Sequence, residues 1–217
     1  AALKLAARGH HVIATVHREE SISAVQAAAE AAGVSLVVEK LDILDPEDRQ
    51  RALSHEVDVL INNAAIGETG PLIEVPIDRL VKNHETNVVA TLALSQVVIH
   101  QMIEKDRGRV IFVGSLGGRL SMPFMAPYVM TKFALDAAVD AMRMELRPFK
   151  VNVCIIEPGA YATGFNEAMH AKKYEWLDEG SVYRDHMRFI ELFEKGNLRL
   201  QGKRTDNIAR QIVRAVE

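Results

Sequence analysis

Tyr128 and Lys132 lie four residues apart in a segment with a helical pattern of residues. At this spacing both side chains lie on one face of a helix, one turn apart. An ammonium group beside a phenol favours the phenolate, so we expect Lys132 to lower the Tyr128 pKa from its ordinary value of about 10. A tyrosine tuned in this way can donate or accept a proton near neutral pH. The pair therefore indicates general acid/base chemistry.

The spacing alone is weak evidence, because two exposed residues on any helix face can share it. The position of the pair strengthens it. The two residues open a predicted helix that follows a predicted strand, and Ser115 lies just after that strand, thirteen residues before Tyr128. A hydroxyl group at a strand end could hold a substrate oxygen near the phenol.

Short apolar segments alternate with helical ones along most of the chain. The pattern predicts strands over 12–16, 36–41, 57–61, 110–113 and 151–156, and helices over 21–32, 46–55, 77–105, 127–147 and 206–217. Strands that are apolar on both faces and alternate with helices form parallel sheets. We therefore expect an α/β, Rossmann-like, doubly wound parallel sheet. The stretch at about 163–202 is too long for an ordinary connection and predicts a helical substrate-binding insert.

Polar or glycine-containing turns follow four consecutive predicted strands. In open parallel sheets, ligands bind beyond the carboxyl ends of the strands, which all lie at one rim. Each of these residue types is also common in ordinary turns, but four such turns at one rim predict a ligand site. The residues are Asp42, Asn62, Asn63, Gly114, Ser115, Pro158 and Gly159, with Thr163 close behind.

These residues resemble the signature of the short-chain dehydrogenase/reductase family. Ser115 and the segment Tyr128-Val-Met-Thr-Lys132 match its catalytic motif. Asn62-Asn63-Ala64-Ala65 resembles its N-N-A-G motif, with Ala65 in place of glycine. Asn87 falls where the family has a catalytic asparagine. Two further segments are similar to the family's cofactor contacts, namely Leu41-Asp42-Ile43 and Glu157-Pro158-Gly159 with Thr163.

The resemblance implies roles for these residues in one NAD(P)-binding Rossmann domain over 1–217. Tyr128 would be the general acid/base, Lys132 would lower its pKa and bind the nicotinamide ribose, Ser115 would hold the substrate oxygen, and Asn87 would anchor a water. Cofactor contacts would come from Asp42, Ile43, Asn62, Pro158, Gly159 and Thr163. Hydride chemistry would belong to the cofactor.

Two parts of the family pattern are missing from the sequence. The glycine-rich T-G-x-x-x-G-x-G turn, which cradles the pyrophosphate, and the first strand would precede Ala1. A last strand would follow Glu217. We therefore expect a fragment that lacks its first and last strands. The 217-residue chain alone should bind NADPH more weakly than micromolar.

The end of the first visible strand bears on the choice of cofactor. NAD-preferring relatives carry an acid there, whereas this chain has Val16 followed by His17 and Arg18. A missing carboxylate and a nearby guanidinium favour NADP, and Arg18 would contact its phosphate. Glu19 and Glu20 weaken that inference, so NAD stays possible.

The Glu-Pro-Gly-Ala-Tyr-x-Thr segment resembles relatives that act on steroids and retinoids, so we expect an apolar alcohol or carbonyl such as a steroid-, retinoid- or aldehyde-like compound. A nucleotide-sensing regulator without turnover is the alternative, although such regulators typically lack the Tyr/Lys pair. An epimerase or dehydratase acting on nucleotide-sugars is a third possibility, although these relatives are usually longer.

Composition limits the remaining classes of partner. The chain has 217 residues, a formal net charge of -3 and a single cysteine, Cys154. No basic stripe indicates nucleic acid, no apolar run reaches the ~18 residues of a membrane span, and no histidine spacing predicts a metal site. A lone cysteine favours a reducing compartment, so we expect a cytoplasmic protein. Family resemblance implies a homo-oligomer paired through the helices at 77–105 and 127–147.

Overall fold

The computed structural model describes residues 1–172, 179–199, 202 and 205–217. Its five strands are β1 (Ile13–Val16), β2 (Val37–Lys40), β3 (Val59–Asn62), β4 (Gly108–Val113) and β5 (Val151–Ile156). Every pairing is parallel, as the apolar strands predict. The Rossmann-like α/β class is therefore confirmed.

The strands form two parallel sheets instead of the one expected. β1 pairs with β2, and β3, β4 and β5 form the other sheet with β4 in the middle. Within the described residues, β1 pairs only with β2 and β3 pairs only with β4. The two sheets are therefore not joined by strand pairing. The expectation that the chain is a fragment stays a prediction.

Helices flank the strands, and most lie close to their predicted positions. They are α1 (Ala2–Ala6), α2 (Ile22–Ala31), α3 (Pro46–Arg51), α4 (Ile77–His84), α5 (Thr91–Glu104), α6 (Ala126–Glu145), α7 (Phe165–Ala171), α8 (Met187–Arg199) and α9 (Asp206–Val216). A π-helical segment, Glu85–Ala90, joins α4 to α5 where an unbroken α-helix was predicted. α6 ends two residues before the predicted boundary, and a 3₁₀ turn containing Pro148 follows it, since proline cannot continue the helix.

The main core lies between the three-stranded sheet and helices α5 and α6. Val110 and Phe112 of β4 are fully buried and pack with Met102 of α5 and Val139 of α6. The contact is so close at Gly108 that an added Cβ would stand 2.4 Å from Met102 Cγ. Dense packing on both faces of β4 fixes the strand that delivers Ser115 to the rim.

The continuous helical segment Ile77–Glu104 is long and apolar enough to cross a bilayer by length and composition. More than half of its most apolar window, 56%, is buried inside the protein, and core helices of globular proteins share this property. The prediction that no segment spans a membrane stays a prediction.

The predicted insert at about 163–202 is helical where it is described, since it contains α7 and α8; residues 173–178, 200 and 201 lie outside the described residues. Glu74 attaches it to the body of the protein. Its carboxylate accepts hydrogen bonds from Ser181 Oγ at 2.6 Å and from the Val182 backbone N–H at 2.8 Å.

Candidate active site

The predicted site residues follow the carboxyl ends of the strands, which run parallel within each of the two sheets. Arg18 follows β1, Asp42 follows β2, Asn62 ends β3, Ser115 follows β4 and Pro158 follows β5. Direct contacts join neighbouring exits at both sides of the rim. His17 Nδ1 lies 3.6 Å from Asp42 Oδ1, and the Leu116 N–H donates to the Pro158 carbonyl at 2.8 Å.

Ser115, Tyr128 and Lys132 come together between the end of β4 and the start of α6. Ser115 Oγ accepts a hydrogen bond from the Gly117 N–H at 3.1 Å. A Cβ added at Gly117 would lie 3.4 Å from Ser115 Oγ and 3.6 Å from Tyr128 Cε1, so the two side chains are neighbours. Lys132 Nζ lies 5.6 Å from the centroid of the Tyr128 ring and donates to the Val113 carbonyl at 3.0 Å. The three residues form the hydroxyl, phenol and ammonium set that the sequence predicted.

Burial controls the protonation of this set. Burial raises the Tyr128 pKa above its ordinary value of 10, and the hydrogen bond from Ser115 offsets only part of that effect. The Tyr128 pKa therefore moves in the direction opposite to the predicted lowering, because burial dominates, and the contribution of Lys132 stays a prediction. Burial also lowers the Lys132 pKa to about 8, although the carboxylate of Asp136 acts in the opposite direction.

Asn87 lies in the π-helical segment and is 1% exposed. Its side chain pairs with the backbone of Ile66, accepting from the N–H and donating to the carbonyl, each at 2.8 Å. The same amide nitrogen lies 3.1 Å from both Asn83 Oδ1 and Thr131 Oγ1. Since Thr131 lies between Tyr128 and Lys132 on α6, Asn87 joins the segment after β3 to the catalytic helix. Its predicted water-anchoring role stays a prediction.

The predicted cofactor contacts follow the strand exits but differ in exposure. Asn62 donates to Ser95 Oγ at 2.9 Å inside the protein, and Ile43 belongs to the core. Asp42 Oδ1 accepts from the Leu44 N–H at 2.9 Å. The Arg18 side chain is 70% exposed and lies 3.8 Å from Glu20.

The chemistry of this donor set fits a dinucleotide. Hydroxyl and ammonium groups stand at the Tyr128–Lys132 end, and a carboxylate and a guanidinium stand at the exits of β1 and β2. Gly159 and Thr163 are exposed beyond β5, and a Cβ added at Gly159 would meet nothing within 4 Å, which leaves room for a ligand there. No three His, Cys, Asp or Glu side chains among the described residues are grouped so that they could hold a metal ion.

Helix α7 covers Tyr128 with apolar side chains. The ring of Phe165 lies 5.7 Å from the Tyr128 ring at an interplanar angle of 59°. Met169 is 2% exposed and packs with Met125, Tyr128 and Val129. This cover explains why Tyr128 is buried and its pKa raised.

An aromatic cluster extends the apolar surface away from α7. Phe124, in the loop before α6, makes edge contacts with Tyr183, Phe189 and Phe193 at centroid distances of 5.7, 5.7 and 6.1 Å. Phe124 adopts a left-handed backbone conformation with φ of 64°, which is uncommon for a bulky residue. The insert therefore contacts the loop before α6 through aromatic rings.

Sequence reasoning missed two charged residues beside Ser115, Tyr128 and Lys132, namely Arg119 and Asp136, and noted Glu157 only as part of the segment after β5. Arg119 Nε lies 2.6 Å from Glu157 Oε1 and 3.4 Å from Asp136 Oδ2. Asp136 stands one helical turn after Lys132, so its spacing was a usable signal. The ion pair between Arg119 and Glu157 joins residues 38 positions apart, and local spacing carries no signal for such a pair.

The chain is similar to one family of known proteins and to two individual relatives. The short chain dehydrogenase family model matches residues 1–174. Human 17-beta-hydroxysteroid dehydrogenase type 1 is 34% identical over 161 residues, which are 72% of this chain and 49% of that protein. The uncharacterized oxidoreductase YusZ of Bacillus subtilis is 32% identical over 205 residues, which are 91% of this chain and 72% of that protein. The chain thus spans about half the length of the first relative and 72% of the second.

A solved structure matches nearly the whole chain. It is a short chain dehydrogenase/reductase from Burkholderia phymatum in complex with NAD, with a TM-score of 0.82 over 98% of this chain and 79% of that one. Sequence identity is 19%, so this match supports the fold alone.

Proposed function

Because the chain belongs to the short-chain dehydrogenase family, we propose that it is a nicotinamide-dependent oxidoreductase that interconverts an alcohol and a carbonyl. One observation carries the proposal: Ser115, Tyr128 and Lys132 meet at the rim where β4 ends. A nucleotide-sensing regulator could keep the fold without this set, whereas proton transfer to a substrate oxygen requires it.

The residues divide the work as follows in the direction of reduction. The cofactor supplies the hydride when bound. Ser115 Oγ donates a hydrogen bond to the carbonyl oxygen of the substrate and fixes its position. Tyr128 transfers its phenolic proton to that oxygen as the alcohol forms. The Lys132 ammonium then stabilises the tyrosinate through its positive charge.

The cofactor we propose is NADP, with NAD as the alternative. Arg18 is exposed at the exit of β1, and the Asp42 carboxylate stands at the neighbouring exit. A guanidinium suits a phosphate ester, which accepts hydrogen bonds from its planar fork. Replacing Arg18 by glutamine should raise the KM for NADPH more than the KM for NADH.

For the substrate we propose an apolar alcohol or carbonyl, with a steroid- or retinoid-like compound as the model. The side chains that cover Tyr128 are apolar, namely Met125, Phe165 and Met169. A flat apolar compound would displace the ring of Phe165 and lose no hydrogen bond, whereas a sugar hydroxyl would be desolvated there without a partner. The relative active on hydroxysteroids supports this choice.

Phe165→Ala tests the substrate class. Removing the ring should lower the KM for bulky ketones and leave small aldehydes little changed. Met144→Ala is the matched control, because Met144 is 72% exposed on α6. If both variants change the same substrates equally, Phe165 does not line the substrate site.

Turnover distinguishes the enzyme from its alternatives. We would follow NADPH and NADH oxidation in the full-length protein against a panel of apolar ketones and aldehydes. Net oxidation supports the oxidoreductase. Tight binding of cofactor without oxidation favours the sensor, and conversion of a nucleotide-sugar without net oxidation favours the epimerase.

We also propose a homo-oligomer and a cytoplasmic location. Apolar side chains stand exposed on the two helical segments that the family resemblance implicates: Ile77 is 70% exposed, Val81 58%, Met130 49% and Phe133 45%. A protein partner on this face would bury them. Sedimentation at a monomer mass would refute the oligomer.

A further inference from the structure

A carboxylate with few partners is buried directly behind the catalytic set. Asp136 is 5% exposed and lies one helical turn after Lys132 on α6. Neither of its oxygens accepts a hydrogen bond from any residue that the structure describes. A buried carboxylate in such a position is unfavourable unless charged groups compensate it, so its surroundings decide whether it is ionised.

The groups that face Asp136 come from three parts of the fold. Arg119 follows the turn that begins at Ser115, and its Nε lies 3.4 Å from Asp136 Oδ2. Glu157, at the exit of β5, shares the same Arg119 Nε at 2.6 Å. Lys132 and Asp140 face Asp136 from its own helix.

The backbone beside Asp136 leaves space for its carboxylate. A Cβ added at Gly118 would lie 2.5 Å from Asp136 Oδ2, and one added at Gly114 would lie 3.5 Å from Oδ1. The Gly118 distance is too short for any real side chain. The turn that carries Ser115 therefore closes directly over the Asp136 carboxylate.

We propose that Asp136 is a positioning residue for the active site, whose carboxylate keeps Lys132 charged beneath Tyr128, and that Arg119 and Glu157 control the charge of Asp136. Its catalytic consequence rests on the proposed function, but the effect of the Asp136 charge on the Lys132 ammonium does not. These three residues, Arg119, Asp136 and Glu157, form a charged cluster that would connect the Ser115 turn and the exit of β5 to Lys132.

The electrostatics of the cluster agree with this arrangement. Burial raises the Asp136 pKa to about 6, with Glu157 acting in the same direction and Arg119 opposing it. Burial lowers the Lys132 pKa to about 8, and Asp136 opposes that change. The carboxylate and the ammonium therefore coexist mainly between these two values. Asp136 loses its charge at lower pH, and Lys132 loses its charge at higher pH.

Direct titration of Lys132 tests the electrostatic effect of Asp136 on Lys132 and does not require turnover. The protein would be labelled with ¹³C-lysine, and the Lys132 Cε signal would be assigned by its absence in Lys132→Arg. Asp136→Asn should lower the Lys132 midpoint by about one pH unit, since it removes the opposite charge that lies one helical turn away on α6. Arg119→Gln should lower it by less, and Glu157→Gln should leave it unchanged or raise it.

Glu145→Gln is the matched control, because Glu145 is an exposed acid on the same helix, and the Lys132 midpoint should not move. Arg119 has an exposed side chain, so Arg119→Gln should fold and can be titrated even if Asp136→Asn does not fold. An unchanged Lys132 midpoint in folded Asp136→Asn or in Arg119→Gln would overturn the proposal. The proposal would also be overturned if the Lys132 midpoint fell equally in Asp136→Asn, Arg119→Gln and Glu157→Gln.

The pH profile of NADPH-dependent reduction provides the catalytic readout. Its alkaline limb should move to lower pH in Asp136→Asn by the same amount as the Lys132 midpoint, which a purely structural defect would not produce. A limb that stays in place while the midpoint moves would overturn the positioning role. If no carbonyl is reduced but the midpoint moves, the proposed function fails and the electrostatic effect of Asp136 on Lys132 stands.

Discussion

Replacing Lys132 by methionine should make the protein more stable at pH 7 while removing its activity. Lys132 is 3% exposed, and burial lowers its pKa from the ordinary 10.5 to about 8. One pKa unit corresponds to about 1.4 kcal/mol, so holding the ammonium inside the protein costs the folded state about 3 kcal/mol. Losing the hydrogen bond to the Val113 carbonyl costs about 1 kcal/mol. We expect a net gain of about 1–2 kcal/mol.

The gain should depend on pH with a definite sign. The folded-state pKa lies below the unfolded-state pKa, so the unfolded protein binds the proton more tightly between about pH 8 and 10.5. Wild-type stability therefore rises relative to the variant as pH increases through that window, and the advantage of Lys132→Met should disappear near its upper end.

Urea unfolding at several pH values from 7 to 10.5 measures this difference. Lys82→Met is the matched control, because Lys82 is exposed on α4 and its replacement should give no pH-dependent difference. The reasoning is refuted if Lys132→Met is less stable than wild type at pH 7. A difference that stays constant across the pH range would refute it as well.

Two further variants test the packing around the site. Asn87→Ala should lower the free energy of unfolding by about 2–3 kcal/mol, because the N–H and the carbonyl of Ile66 both lose the Asn87 side chain as a partner. A loss below about 0.5 kcal/mol in urea unfolding would contradict the observed pairing. Gly118→Ala should lower the melting temperature, because its Cβ would stand 2.5 Å from Asp136 Oδ2. Gly159→Ala is the control and should leave the melting temperature unchanged, because a Cβ there meets nothing within 4 Å. Equal melting temperatures for the two variants would show that the turn at Gly118 accommodates the methyl group without strain.

Sequence patterns were sufficient to place the strands and their exits. The five predicted strands agree with the observed ones within two residues at nearly every end, because fully buried parallel strands are short apolar runs bounded by turn residues. Once the strands are parallel, their carboxyl ends share a rim, so Asp42, Asn62, Ser115 and Pro158 could be placed there. Ser115 and Tyr128 could be paired because one follows β4 and the other opens α6.

The remaining features depend on contacts between distant segments. The π-helical segment Glu85–Ala90 continues a helical pattern in the sequence, and its Asn87 pairs with Ile66 across 21 residues, a contact that local spacing does not reveal. Spacing placed Lys132 beside Tyr128, but the burial of Tyr128 depends on α7, far along the chain. That burial reverses the expected direction of the Tyr128 pKa.

The most direct test of the account is Tyr128→Phe in the full-length protein, assayed for NADPH oxidation with its best carbonyl substrate. Phenylalanine keeps the ring that packs against Phe165 and removes only the proton donor. The account predicts that cofactor binds as in wild type while turnover falls by about a hundredfold or more, the usual contribution of a general acid. Turnover within tenfold of wild type would show that Tyr128 does not transfer the proton.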